Sequence, residues 1–470
     1  MKSKLNSKVK TIIVIGILLT FFASIIHISN PNINRINNCL ECKEVVNYNE
    51  YILRTSKVSA KIHIANNWSE AKVAGICTGL GTFSDPYIIE DLAIDGYGSG
   101  SCILIENSDS YVKIENCTLF NSIDGIRLSY TQNVQVFNNT CSSHMFGISL
   151  YYSLNNSISE NIAFDNEING ISLLNSDENN ISGNFEHDNF YYGISLFDSD
   201  NNVILNNVIH SGLEIGGIYN NISGNLMKEC GIHISDSNTE NYYFQYIDIS
   251  NLVNEKPIYY YTNKQYLGPN NFTDAGQIIM ASCSDSLVKN VNLSCTDTGL
   301  TLINCHDNRI TKNSINSNQQ NGIYIFGGEN NTLSNNTAFY NMQNGILLEY
   351  SINNLCIDNN ISHNNYNGIY CHRLESSVIS RNNINNNKRY GIRFSYCINN
   401  TITENSLIEN EECFYIDSLS EGNTFQDNIC RNRAPSIFGY NIFVFFGILV
   451  ICTIILSKRL RNQKPNFRET

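Results

Sequence analysis

Apolar residues along this chain fall into short columns that repeat with a fixed spacing. After each of a series of glycines, the next residue and the one two further on are apolar: Ile148/Leu150, Ile171/Leu173, Ile194/Leu196, Ile323/Ile325, Ile346/Leu348 and Ile392/Phe394. This alternation predicts a short strand with one buried face. The glycines are Gly147, Gly170 and Gly193, then Gly276, Gly299, Gly322, Gly345, Gly368 and Gly391, 23 residues apart within each run. An asparagine keeps the same spacing at Asn138, Asn161, Asn184 and Asn207, and again at Asn290, Asn313, Asn336, Asn359, Asn382, Asn405 and Asn428. A second apolar column lies three residues before it (Ile158, Ile181, Ile204, Leu287, Ile310, Leu333) and a third two residues after it (Ala163, Ile209, Ile315, Ala338, Ile361, Ile384). Three short strands per repeat with polar corners predict an all-β, right-handed parallel β-helix solenoid of about 14 coils of 22–23 residues. An α-solenoid is excluded, because no ten-residue run keeps a 3.6 period and Asn, Ser and Gly fill the corners. At about 4.8 Å per coil, one continuous rod would be about 65 Å long.

The asparagine column has two physical readings that act together. Asn tolerates the left-handed backbone of a tight corner. An inward amide, costly to bury alone, is satisfied when it bonds to the same amide on the coils above and below. On this reading the eleven asparagines form one structural ladder, and Asn138, as a ladder member, is too buried to carry a glycan. The glycines mark a second corner where a Cβ would be in the way.

The period divides the chain. Residues 61–100 precede the regular coils and are placed to cap the first one, with Ile62-His63-Ile64 as a strand and Trp68–Lys72 as a helical turn. Residues 101–238 and 276–434 carry the coils. Residues 239–275 read as an irregular insert that gathers Tyr242, Tyr243, Tyr259, Tyr260 and Tyr261, the candidate ligand-binding aromatics, since insertions in a solenoid map to one face. Packing within a widened coil accounts for the same tyrosines.

Outside the coils, residues 1–28 hold an apolar run, Thr11–Ile28, after Lys2, Lys4, Lys8 and Lys10, and read as a signal peptide or a signal anchor. Residues 29–60 read as a linker. Residues 437–456 form an apolar run long enough to cross a bilayer as a transmembrane helix, and the basic tail 457–470 follows it. Positive-inside charge places that tail in the cytoplasm and the solenoid outside the cell.

Charge and cysteine usage narrow the partners. The 470-residue chain has a formal net charge of −13 and no basic stripe, which disfavours nucleic acid. Of its 16 cysteines, Cys356, Cys371 and Cys430 take apolar column positions and read as small hydrophobes, and no disulfide ladder is indicated. Cys39-x-x-Cys42 fits a small disulfide or a metal or redox pair equally. Sequons are numerous, and Asn271 in the insert is the glycosylation candidate.

The repeat Asn-Gly-Ile-Tyr-Ile at 321–325 with Asn-Asn-Thr-Leu-Ser-Asn-Asn at 330–336 resembles the right-handed parallel β-helix repeat family, and within it the NosD-like β-helix domain grouped with carbohydrate-binding and sugar-hydrolase repeats. The segments Gly81–Glu90 and Glu255–Tyr261 carry the likeness further, over roughly residues 75–430. The resemblance implies either copper-site maturation, as in NosD proteins, or action on polysaccharides, with copper or calcium as the metals such relatives use. The residues themselves give each activity little. Asp109, Asp177, Asp198, Asp200, Asp285, Asp307 and Glu329 sit mostly at corners, where solvation explains them, rather than as a pair on one strand face. His187 and His210, three residues after successive ladder asparagines, are the candidate metal pair, with nothing soft nearby to support copper. The expectation is therefore a membrane-anchored extracellular protein without a catalytic site or cofactor, binding glycans or cell-envelope proteins. A polysaccharide hydrolase or lyase is the first alternative, and a copper-handling accessory protein the second.

Overall fold

A computed structural model describes residues 57–235 and 239–433. The segments read as signal sequence and transmembrane helix, the basic tail, Cys39 and Cys42 lie outside the described residues, as does the linker except for its last four positions. No helix among the described residues is long and apolar enough to cross a membrane.

The chain winds into a parallel β-helix of about 15 turns. Each coil lays three short strands on those of the previous coil, as in Ile346–Glu349 on Ile323–Phe326, Leu355–Ile357 on Thr332–Ser334 and Asn360–Ser362 on Thr337–Phe339. The apolar columns point inward and are buried along most of the length. At the start, the helix Trp68–Val73 lies over the first coil: Trp68 stacks on Tyr87 at 4.5 Å, and its indole N–H donates to Ser108 Oγ at 2.8 Å.

The asparagines form several ladders rather than one. The first runs Asn139, Asn161, Asn184, Asn207, Asn225, Asn251, and again from Asn313 to Asn428; each Oδ1 accepts from the backbone of the preceding coil at about 3 Å. The others include Asn156–Asn179–Asn202–Asn220 and Asn318–Asn341–Asn364–Asn387–Asn410. Two expected members fall out. Asn138 and Asn290 are exposed with φ of 55° and 58°, and the ladder positions are Asn139 and Val291. The inward residue of the second column is likewise Val288, not Leu287. The cause is coil length: these coils contain 22 residues, so a 23-residue count lands one position early. The two roles given to one asparagine are also divided. The left-handed corner belongs to the residue before the ladder, such as Glu160, Asn335, Asp358 or Arg381, while the ladder residue bonds inward.

The glycine column is a steric requirement. A Cβ on Gly368 would lie 2.7 Å from the carbonyl oxygen of Gly391, 2.9 Å from Asn387 Nδ2 and 2.2 Å from Ile384 Cγ2. Gly368→Ala is expected to cost about 2 kcal/mol, since backbone and a ladder amide must both give way. A urea unfolding midpoint unchanged from wild type would refute it.

Residues 239–275 are not an irregular insert in a single rod. Tyr246–Ile247 and Leu252–Val253 complete the last coil of a first stack, pairing with Asn221–Ile222 and Leu226–Met227. The chain then reverses: Lys256–Thr262 pairs antiparallel with Leu252–Val253 and opens a second stack by pairing parallel with Gln277–Ala281. Each stack has its own core. The strand Gln277–Ala281 is buried on both faces, because Ile278 and Met280 face the second core while Ile279 and Ala281 cover the end of the first, beside Ile232, Ile234 and Tyr242. Gln277 seals this junction. Its Oε1 accepts from Ile232 N–H at 2.9 Å, and its Nε2 donates to Ile232 O at 2.8 Å.

Cys430 corrects its sequence reading. It is disulfide-bonded to Cys413 and exposed rather than a buried hydrophobe, whereas Cys356 and Cys371 are buried and free.

Candidate functional site

The strand face that points away from the second core starts at the junction and runs along successive coils. Register brings Tyr324, Leu347, Tyr370, Arg393 and Tyr415 into one outward column. Phe326, Glu349, His372 and Ser395 form the next, two residues along each strand. The following corner supplies Tyr350, Arg373 and Tyr396, all with left-handed backbone. Two tyrosine–arginine–tyrosine stacks result. The Arg393 guanidinium lies 4.7 Å from the Tyr370 ring and 5.4 Å from Tyr415. That of Arg373 lies 4.9 Å from Tyr350 and 5.5 Å from Tyr396. Between them Glu349 accepts from Tyr324 Oη at 2.9 Å and pairs with His372 Nδ1 at 3.2 Å. Burial pushes the Tyr370 phenol above its usual value, against the lowering pull of Arg393. The arrangement offers flat aromatic and cationic surface with hydrogen-bonding edges, spread over several coils.

At the junction end this face meets a cavity of about 110 Å³. His233 closes the first stack there, with Nδ1 3.4 Å from Asp297 Oδ2 of the second. Gln320 Nε2 donates to Asp297 Oδ1 at 2.9 Å and lies 3.1 Å from His233 Nδ1. Leu347 and Tyr324 line both the cavity and the outward column, so the two features are continuous.

Of the tyrosines singled out from sequence, Tyr259 and Tyr261 stack at 6.1 Å beside Phe272, and the five do not share one surface. Tyr242 is buried and donates to Ile234 O at 2.8 Å. Tyr260 donates to Tyr242 O at 2.7 Å, Tyr259 to Thr273 O at 2.8 Å and Tyr261 to Asn271 O at 3.0 Å. Tyr243 bonds through its hydroxyl to Asn304. The hydroxyls of Tyr259 and Tyr261 tie the start of the second stack together, and those of Tyr243 and Tyr260 join it to the first. Asn271 is exposed, and its Oδ1 accepts from Gly268 N–H at 2.9 Å. Exposed Asn138 instead donates its amide to Asn116 Oδ1 at 2.7 Å, so burial does not protect it from glycosylation. His187 is paired with Asp188 at 2.8 Å and stacked on Phe164, and the Phe185 ring contacts both His187 and His210.

The acids enumerated from sequence are not those of the strand faces. The latter include Asp124, Glu214 and Glu349, with Asp297 at the junction. The residues of the outward face were missed although they keep the same period, Tyr324/Leu347/Tyr370/Arg393 and Tyr350/Arg373/Tyr396 each recurring every 23 residues. A count of outward positions would have found them.

Among solved structures, the chain is similar to the periplasmic alginate epimerase AlgG, at 12% identity over 80% of this chain and 84% of that one, with a TM-score of 0.32. It is also similar to the A-module of the Azotobacter vinelandii mannuronan C-5 epimerase AlgE6, at 12% identity over 74% and 89% with a TM-score of 0.26. A third is the Dettilon tailspike protein, at 13% identity over 74% and 63% with a TM-score of 0.25. At these identities the likeness concerns the fold alone. No curated protein sequence matches the chain. The profile of the family described as periplasmic copper-binding protein (NosD) matches residues 84–245 and 245–436, two segments that meet close to the reversal between the stacks. Those segments take in most of the sequence, and the chain belongs to the NosD family.

Proposed function

We propose that the outward face of the second stack binds glycans, and that the protein works as a non-catalytic binder held at the cell surface, with residues 437–456 in the membrane and the stacks outside. The observation that carries this reading is the pair of tyrosine–arginine–tyrosine stacks flanking Glu349 and His372. Aromatic rings supply apolar area to sugar faces, and the charged groups between them orient hydroxyls by hydrogen bonds. The site is thereby moved from the tyrosines at 242–261 to the strand face beyond them. The test is a glycan-array screen of the full-length chain. Binding should fall at least tenfold in Tyr370→Ala and remain in Tyr261→Ala. Absence of any bound glycan, or equal loss in both variants, would sink the proposal.

A polysaccharide-cleaving enzyme is the alternative that the Glu349–His372 pair supports, and product release abolished by Glu349→Gln would favour it. The family's description names copper, but the described residues do not fit it. No three His, Cys, Asp or Glu side chains among them converge on a point where a metal ion could sit. The expected pair His187 and His210 packs against phenylalanine rings.

A further inference from the structure

The arginines near the end of the second stack differ in their partners. Arg381 forks onto Asp358 at 2.9 and 3.2 Å, and Arg431 pairs with Glu409 at 3.5 Å. Arg373, Arg389 and Arg393 have no carboxylate within ion-pair distance among the described residues, and each instead lies over a tyrosine ring, Arg389 at 4.5 Å from Tyr366. Arg393 is the most constrained. Rings from the coils above and below hold its guanidinium, and its Nε is buried without a hydrogen-bond partner. A guanidinium left without an anion in a partly buried site is costly unless something else supplies the acceptor. Two carboxylates along this face, Glu349 and Asp417, are already engaged. Glu349 is taken by Tyr324 and His372, and Asp417 by Ser395 Oγ at 2.9 Å and Ser420 Oγ at 2.7 Å.

Resting on the glycan reading above, we infer that the ligand of this face is an acidic polysaccharide, whose sugar carboxylates are received by Arg393 and Arg373. The guanidinium fork matches a carboxylate with two parallel hydrogen bonds, and the tyrosines that hold each fork flat also offer rings to the sugar. Two such positions on neighbouring coils suit a chain with repeated carboxylates better than a single small anion. The net charge of −13 repels polyanions elsewhere, so binding is confined to the face where the forks are unneutralised.

The test uses the full-length protein in calorimetric titrations with polygalacturonate, hyaluronate and glucuronan, each beside its carboxyl-reduced form, and with polyphosphate. At least one acidic polymer should bind tenfold or more tighter than its reduced form. Arg393→Met should erase that difference while leaving the reduced form within about twofold. Arg393→Lys should recover only part of it, because charge returns without the fork. Arg381→Met is the control and should change nothing. Arg373→Met, at an exposed position, gives the same readout if Arg393→Met unfolds. Equal binding of acidic and reduced forms overturns the inference and leaves glycan binding standing. Polyphosphate binding as tight as the best polysaccharide overturns it in favour of a general anion site, and no binding to any saccharide overturns both readings.

Discussion

Asn359→Leu should unfold the second stack at denaturant concentrations where wild type is intact, with a loss of about 4 kcal/mol. The leucine would fit an apolar interior, so the cost lies in the bonds. Asn359 Oδ1 accepts from the backbone N–H and the amide of Asn336, at 2.9 and 3.0 Å. Its Nδ2 donates to Leu333 O at 2.9 Å and to Asn382 Oδ1 at 3.0 Å. Substitution strands the Asn336 N–H, the Leu333 carbonyl and part of two neighbouring amides, all buried away from water. Each unsatisfied group costs about 1–3 kcal/mol, and the partial sharing within the ladder brings the sum to about 4. Asn360→Leu, beside it but outside the ladder, should cost under about 1 kcal/mol. Urea denaturation followed by circular dichroism separates the two. Equal effects would mean that the ladder is a passive column rather than a bonded one.

The same ladder explains what could be read beforehand. Three inward columns and their period predict a solenoid, because each coil must present the same apolar face to the next. Phase was harder. Asn138 and Asn139 are neighbouring asparagines, and nothing in their chemistry says which turns in; only the 22-residue length of that coil decides it. The outward columns of Tyr370 and Arg393 were legible and went unread, since the period was followed only through apolar residues and asparagine. The junction was not legible. It depends on Gln277 meeting Ile232 and on the outer side of one strand covering the end of another core, which no periodicity encodes.

Glu186 is the residue most at odds with the columns. It occupies the inward slot between Ala163 and Ile209, where its neighbours on adjacent coils are apolar. The side chain is fully buried and neither carboxyl oxygen has a hydrogen-bond partner. Burial alone raises its pKa well above the ordinary value of 4.5, so the folded protein holds it as the neutral acid. The unfolded chain ionises near the ordinary value. Above that point the native state binds one proton more than the unfolded state, and stability falls by about 1.4 kcal/mol per pH unit until the buried acid itself ionises. Glu186→Met keeps the volume and removes the polar oxygens, and should stabilise the first stack by about 2–3 kcal/mol at pH 7. The gain should shrink as pH falls toward 4.5, below which both states carry the proton. His144 acts with the opposite sign: burial lowers its pKa from 6.5 to about 4, so its stabilising contribution is complete above 6.5 and is lost as pH falls toward 4. Between about pH 4.5 and 6.5 the two slopes oppose each other, so wild type should change little there and weaken above 6.5, whereas the methionine variant should weaken only toward acid. Thermal unfolding from pH 5 to 8.5 distinguishes them; a variant whose alkaline loss parallels that of wild type would show that Glu186 is not the group responsible.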